Sequence, residues 1–311
     1  SWTADRMPDC TGRTVLVTGA NSGLGFEATK AFAARGATVI MACRSTDRGH
    51  QAAAEIRNTV SDAEATLNVR QCDLASLDSV ESFATGVTQE YDAIDVLCNN
   101  AGVMAIPRQE TEDGFEKQLG VNHLGHFALT GHLLDLLVES DADARIVTHS
   151  SAAHESGEID FDDLHREQSY GRWEAYGQSK LANLLFAYEL QRRLEAADVT
   201  ETISVACHPG YAATNLQYRG PKQDGSALRM GVMKLANALV GQSAQQGALP
   251  LLYASVAPDV AGGDYYGPDG VMSMRGAPEK QSSNEASYDE SVAKRLWETS
   301  EALTGVAYEL G

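Results

Sequence analysis

The chain has 311 residues, 43% of them hydrophobic and 22% charged, which is ample for a complete core and ordinary for a globular protein. Its 43 acidic residues outnumber 24 basic ones, and the resulting net charge of −19 repels nucleic acid and anionic membrane surfaces and excludes both as expected partners. No apolar run reaches the roughly 18 residues of a membrane span, and the polar first 13 residues read neither as a signal peptide nor as a membrane anchor.

In chain order, Thr14–Thr18 is β-branched and apolar and predicts a first strand, and the glycine-rich turn after it opens a helix over 22–35. A second strand over 37–42 leads into a helix over 46–60. Further strands are predicted at Thr66–Gln71, 94–99, 144–150 and Thr202–Cys207. Short apolar strands alternating with longer helical patterns predict an α/β fold of parallel strands joined by crossover helices, with several strands buried on both faces. Two helices, over 115–138 and 176–194, are apolar all round. One stripe can cover a sheet but a second asks for another partner, which points to a homodimer or homotetramer, or at least to deep burial. No linker interrupts the pattern, so a single domain spans 1–311. Residues 214–240 are expected to form a flap beside the site, where Leu228, Met230 and Met233 suit an apolar substrate or ordinary core equally.

The motifs that carry chemistry sit at strand ends. Thr18-Gly19-Ala20-Asn21-Ser22-Gly23-Leu24-Gly25 follows the first strand directly. There, Gly19, Asn21, Ser22, Gly23, Leu24 and Gly25 can hold a dinucleotide pyrophosphate on backbone N–H groups at a helix N-terminus. The spacing is Gly-x-x-x-Gly-x-Gly, not the common Gly-x-Gly-x-x-Gly, and such a turn can also be plain punctuation. The second strand ends Ala42-Cys43-Arg44-Ser45, with no acid before Asp47. A carboxylate there would hold the ribose 2′-hydroxyl of NAD, whereas Arg44 accommodates a 2′-phosphate, so NADP(H) is expected over NAD(H). Asp73 and Leu74 follow the third strand, where an adenine edge would lie. Asn100, Ala101 and Gly102 close the fourth on the ligand side of an open α/β sheet, and all of these also read as strand-ending turns.

Ser150 and Ser151 end the fifth strand. Tyr176 and Lys180, four apart at what reads as the opening of the next helix, share one helix face. A free phenol titrates near pH ~10, and the neighbouring ammonium is expected to lower that value so that Tyr176 can exchange protons near neutrality. A serine hydroxyl can hydrogen-bond a substrate oxygen as charge gathers on it. A lone Tyr-x-x-x-Lys is common on solvated helices, so the pair takes its weight from the motifs around it. His123 and His126 lie three apart and His149 and His154 flank the serines, but no third ligand completes a set and no metal site is expected. The acidic run over 158–163 reads as a solvated loop. Five scattered cysteines without a Cys-x-x-Cys pair indicate core thiols in a reducing compartment, and the localisation expected is cytoplasmic. Lysine supplies only seven of the bases, and an acid-rich, lysine-poor surface suits a high-salt cytoplasm that screens its self-repulsion.

Taken in order, residues 18–25 and 99–102, Asn122, Ser151, Tyr176, Lys180 and Pro209-Gly210 resemble the short-chain dehydrogenase/reductase family from about position 14 to position 214. The resemblance implies a single Rossmann-type, doubly wound parallel sheet of strand order 3-2-1-4-5-6-7 with helices on both faces. It implies an Asn122-Ser151-Tyr176-Lys180 tetrad. In it Tyr176 is the acid/base, Ser151 rather than Ser150 polarises the carbonyl, Lys180 binds the nicotinamide ribose and lowers the Tyr176 pKa, and Asn122 holds a relay water. Pro209, Gly210 and Thr214 would contact the nicotinamide end. Within the family, Ala42-Cys43-Arg44, Val121-Asn122-His123-Leu124-Gly125-His126-Phe127, Ser179-Lys180-Leu181-Ala182-Asn183 and Tyr265-Tyr266-Gly267-Pro268-Asp269-Gly270 look most like retinol dehydrogenases and their soluble, protochlorophyllide-reductase-like relatives. The activity expected is hydride transfer between NADP(H) and a carbonyl or alcohol, with an apolar aldehyde or ketone as the small-molecule partner. The alternative is a non-catalytic NADP(H)-binding sensor or scaffold on the same fold, against which the intact tetrad argues.

Overall fold

A computed structural model describes residues 2–60, 66–140, 143–210, 243–270 and 273–310. The β-branched runs form strands β1 (Thr14–Thr18), β2 (Thr38–Cys43), β3 (Thr66–Gln71), β4 (Val96–Asn99), β5 (Ala144–His149), β6 (Thr202–Cys207) and β7 (Tyr265–Pro268). A last strand, β8 (Pro278–Gln281), completes a sheet of order β3-β2-β1-β4-β5-β6-β7-β8. The expected order 3-2-1-4-5-6-7 is present and parallel throughout, and β8 adds an antiparallel edge on β7. Pro-Glu-Lys-Gln has no apolar run to announce a strand, and only its pairing with Tyr265–Pro268 makes it one.

Successive strand residues face opposite sides, and the sheet is covered on both. Val15, Val17, Val39, Met41, Val96, Cys98 and Val147 pack on one face against Phe32, Ile56 and Leu251 of three helices. Leu16, Ile40, Leu97 and Ile146 pack on the other against Val80, Phe83, Phe127, Phe186 and Leu190. This two-sided burial is why the strands read as continuously apolar rather than alternating.

Two helical expectations are corrected. The run over 115–138 is not one helix. Lys117–Leu119 is a single turn, Gly120–Leu124 is a π turn closed by the Gly125 N–H on the Gly120 carbonyl, and Gly125–His132 and Leu134–Val138 follow. Such turns insert an extra residue and cluster at functional sites, and Asn122 lies inside this one. The second helix is Arg172–Ala196, so Tyr176 sits in its second turn and does not open it.

That helix is buried around most of its circumference, and the cover comes from the same chain. The Glu290–Thr304 helix packs Ala293 and Leu296 against Leu181, Ala182 and Leu185. Trp297 stacks on Phe186 at 5.8 Å and 17° and lies under the Arg193 guanidinium, 4.4 Å away. The second apolar stripe is therefore satisfied within one subunit and no longer argues for an oligomer. Among the described residues, no helix is long and apolar enough to cross a membrane.

Candidate active site

The glycine turn after β1 is shaped by its backbone. Gly19 and Gly23 hold φ of +67° and +56°, which glycine adopts at no steric cost, and the Gly19 N–H donates to Ala42 O at 2.9 Å. Gly25 is required by closeness. A Cβ there would lie 2.3 Å from Gly19 O and 2.6 Å from Asn100 Nδ2. Ser22 in extended conformation starts the Gly23–Ala33 helix, so its first N–H groups face the turn.

Thr18 ties this turn to the end of β4. Its Oγ1 accepts from Asn100 N and Ala101 N at 2.9 Å each, and Asn100 Nδ2 donates back to Thr18 O at 2.8 Å. With both lone pairs engaged, the hydroxyl proton has two acceptors, His126 Nε2 at 2.9 Å and Cys98 O at 3.2 Å. A proton on His126 Nε2 would face an oxygen with nothing left to give. Saturation thus assigns the tautomer: Nε2 accepts from Thr18, and Nδ1–H donates to Asn122 O at 3.0 Å.

Asn122 is fully buried. Its Oδ1 accepts from Val103 N at 2.8 Å, and its Nδ2 donates to Val103 O and to Ser179 Oγ, both at 2.9 Å. The Asn122 side chain is thus closed on protein partners, so the relay water expected at Asn122 would have to use its backbone carbonyl, which His126 engages on one side.

The two serines after β5 diverge, as adjacent residues of extended chain must. Ser150 is buried and its hydroxyl donates to Lys180 O at 2.9 Å. Ser151 caps the short turn Ala152–Ser156, accepting from Ala153 N at 3.3 Å, and its side chain is close enough to the Tyr176 hydroxyl to favour the ionised phenol. Lys180 Nζ stands 5.7 Å from the Tyr176 ring centre and donates to His149 O at 3.3 Å. Gly102 lies beside both Asn122 and Lys180, since a Cβ on it would be 3.1 Å from Asn122 Oδ1 and 3.7 Å from Lys180 Nζ. Asn122, Ser151, Tyr176 and Lys180 thus meet in one place.

Next to them an open cleft encloses about 1070 Å³. Gly19, Asn21, Ser22, Gly23, Leu24, Arg44, Asp73, Leu74, Asn100, Ala101 and Gly102 all line it, with Gly25 packed beneath. Lining residues that the sequence reading did not assign to the site include Ser45, Arg48, Cys72, Ala75, Val103, Lys117 and Val121. Arg48 had a signal, since it lies four residues after Arg44 in the first turn of the Thr46–Thr59 helix that Ser45 caps. Lys117 and Val121 had none, because their position depends on the broken helix. Pro209 and Gly210 follow β6, where Gly210 takes φ +65° and donates to His208 Nδ1 at 3.2 Å. Thr214 and the expected flap over 214–240 lie outside the described residues.

Residues 13–224 match the family model for short chain dehydrogenases. The chain belongs to the short-chain dehydrogenase/reductase family. It is 43% identical over 305 residues to retinol dehydrogenase 14 of Mus musculus, covering 95% of this chain and 86% of that protein. It is 43% identical over 298 residues to human retinol dehydrogenase 13, covering 95% and 85% respectively. The crystal structure of an uncharacterized protein from Mycobacterium paratuberculosis shares 42% identity and a TM-score of 0.81 with it, over 99% of both chains. This dehydrogenase/reductase is therefore of the retinol dehydrogenase-like kind, an oxidoreductase acting on alcohol or carbonyl groups, in a family that binds nicotinamide cofactors.

Burial dominates the electrostatics of this short-chain dehydrogenase/reductase. It pushes the Tyr176 phenol up to about 12, against the smaller lowering effect of the Ser151 side chain, and brings the Lys180 ammonium down to about 8. Burial thus outweighs the lowering that Lys180 was expected to supply. The ammonium carries less charge than a solvated one, while taking the phenolate out of water costs more. Burial likewise lowers His123 to about 3, His126 to about 4 and His149 to about 3, from an ordinary value of 6.5. These folded-state values lie below the unfolded one. The stability they contribute is complete above pH 6.5 and is lost as pH falls towards 3–4. Each such histidine should cost on the order of 1.4 kcal/mol per pH unit within that window. Melting temperature is expected to fall steadily from pH 6.5 to pH 4. A flat profile in that interval would show that the imidazoles do not stay neutral in the fold.

Proposed function

We propose that the protein transfers a hydride reversibly between NADP(H) and a carbonyl or alcohol, with Tyr176 as the acid/base. The observation that carries this reading is the convergence of the Ser151 side chain on the Tyr176 hydroxyl, with Lys180 on the same helix face and Asn122 beside it. A nicotinamide cofactor fits the residues present. Gly25 lets the helix start pack directly beneath the glycine turn, where a Cβ would collide with Gly19 O, and the cleft above continues past the N-terminus of the Gly23–Ala33 helix to two guanidinium groups. The glycine turn would hold the pyrophosphate, and Asp73 and Leu74 would flank the adenine. When bound, the cofactor supplies or accepts the hydride.

The chain's own residues supply the rest. Tyr176 is a neutral phenol throughout the neutral range and so holds the proton that a reduced carbonyl oxygen needs. Ser151 shares that proton's environment and would donate to the same oxygen as charge gathers on it. Lys180 is held over the Tyr176 ring by its bond to His149 O, and Asn122 keeps the 103 segment against it. Likeness to retinol dehydrogenases 13 and 14 supports an apolar aldehyde or ketone as substrate.

Arg44 and Arg48 on the cleft wall support the 2′-phosphate form of the cofactor. A charge-assisted hydrogen bond is worth about 1.5–3 kcal/mol, so removing both guanidinium groups (R44A/R48A) should lower the NADPH-over-NADH preference in kcat/KM by at least about tenfold. An unchanged preference would overturn the NADP assignment. NADPH binding without oxidation across a panel of aldehydes, ketones and quinones would instead identify a binding protein.

A further inference from the structure

Two large hydrophobic side chains stand out as exposed among the described residues, and one of them is three residues from Tyr176. Trp173 is 51% exposed, in the first turn of the Arg172–Ala196 helix. Its ring meets that of Tyr176 edge-on, with centroids 6.0 Å apart and an interplanar angle of 77°. Positions 173, 176 and 180 are spaced i, i+3 and i+7, so the three side chains run along one stripe of the helix. Lys180 and Tyr176 on that stripe are 4% exposed, and Trp173 is the member that reaches solvent. The stripe therefore leads from the surface inward: an indole, then the phenol, then the ammonium.

An indole left in water beside a buried reactive hydroxyl forgoes the burial that usually draws tryptophan inside. Its edge-on contact with Tyr176 holds one edge of the indole near the phenol and leaves about half of its surface open to solvent. The ring contact places this surface beside the phenol whose hydroxyl a substrate oxygen would meet. Indole prefers aromatic or conjugated partners, because ring quadrupoles favour offset or edge-on contacts beyond the area buried.

We propose that Trp173 is a substrate-contacting, specificity-determining residue that selects carbonyl compounds and alcohols bearing an aromatic or conjugated planar group next to the reacting carbon. This deepens the assignment of the Tyr176 site and rests on it. The helix carries the discrimination on a rigid element, adjacent to the proton donor.

The test compares cinnamaldehyde with hexanal in steady-state reduction by wild type, W173A, W173F and Y176F. Alongside it, calorimetry measures the binding of cinnamyl alcohol and hexanol in the presence of oxidised cofactor. Loss of an aromatic pair is worth up to roughly tenfold. W173A should lower the cinnamaldehyde-to-hexanal ratio of kcat/KM by about that factor and weaken cinnamyl alcohol relative to hexanol to the same degree. W173F should restore most of both. Because Trp173 is exposed and its indole caps no buried cluster, these variants should fold as the wild type does. An unchanged ratio in W173A, with Y176F inactive, overturns the role of Trp173 and leaves the Tyr176 assignment standing. If Y176F stays active, the Tyr176 assignment fails, and the calorimetric ratio still decides: equal ratios in wild type and W173A overturn the proposal, and a tenfold difference supports it.

Discussion

Tyr176→Phe is expected to lower kcat by about 10²–10⁴-fold, the range that a positioned general acid contributes, while cofactor affinity stays within about threefold of wild type. The substitution removes one oxygen, which the Ser151 side chain approaches, and Ser151 keeps its cap on Ala153 N. The ring remains, with its contact to Trp173 and its place under Lys180. The deficit should therefore appear in the chemical step, read by single-turnover kinetics with saturating cofactor, and not in melting temperature. A Phe variant as fast as wild type would show that another group delivers the proton. Ser151→Ala should fall in the same direction, whereas Ser150→Ala should act mainly on stability, because the Ser150 hydroxyl is spent on Lys180 O.

Gly25→Ala should be the most damaging single methyl in the molecule's binding half. The added carbon would sit 2.3 Å from Gly19 O and 2.9 Å from Gly19 C, both backbone atoms of the turn, so the clash cannot be relieved by a rotamer. Overpacking of this kind costs about 1–3 kcal/mol. If it is relieved by opening the turn, the cost appears as a cofactor Kd weakened about 10–100-fold. Gly86→Ala supplies the contrast. Gly86 lies inside the Leu77–Thr88 helix, and the nearest atom to an added Cβ is Arg70 Nη1 at 3.6 Å. That change should stabilise the fold by up to about 1 kcal/mol, since alanine is the better helix former. Isothermal titration with the cofactor and thermal melts of both variants would separate the two cases. Wild-type affinity in Gly25→Ala would mean that the turn does not seat the dinucleotide.

Much of the architecture was legible because its causes are local. Six strands were placed at or within two residues of their ends. Five are β-branched or apolar runs largely buried in the sheet, and the edge strand Thr66–Gln71 keeps an alternating Leu67 and Val69 that its polar neighbours do not hide. The glycine turn was legible for the same reason, as positive φ and close approach leave only one residue type at Gly19 and Gly25. So was the pairing of Tyr176 with Lys180, which helix geometry alone imposes. The strand Pro278–Gln281 was not, because edge strands are polar and their identity resides in the partner. Nor was the π turn. It is associated with a bond from His126 to Asn122 O, and His126 is in turn held by Thr18, 108 residues away.

Beyond the strand order and the four-residue set that the family resemblance implied, the amino-acid sequence by itself determined the fold class, the core strands, the glycine turn and the pairing of Tyr176 with Lys180 on one helix face. Those features follow from periodicity, backbone conformation and spacing along the chain, which are properties of neighbours. Only the tertiary structure decided which serine faces Tyr176, that Arg48 joins Arg44 on the cleft, and that the Glu290–Thr304 helix covers the apolar stripe first read as a subunit contact. It also decided how deeply Tyr176 and Lys180 are buried, which pushes the phenol up and the ammonium down. Spacing places a charge beside a hydroxyl, but the balance between attraction and desolvation depends on how completely the rest of the chain removes both from water.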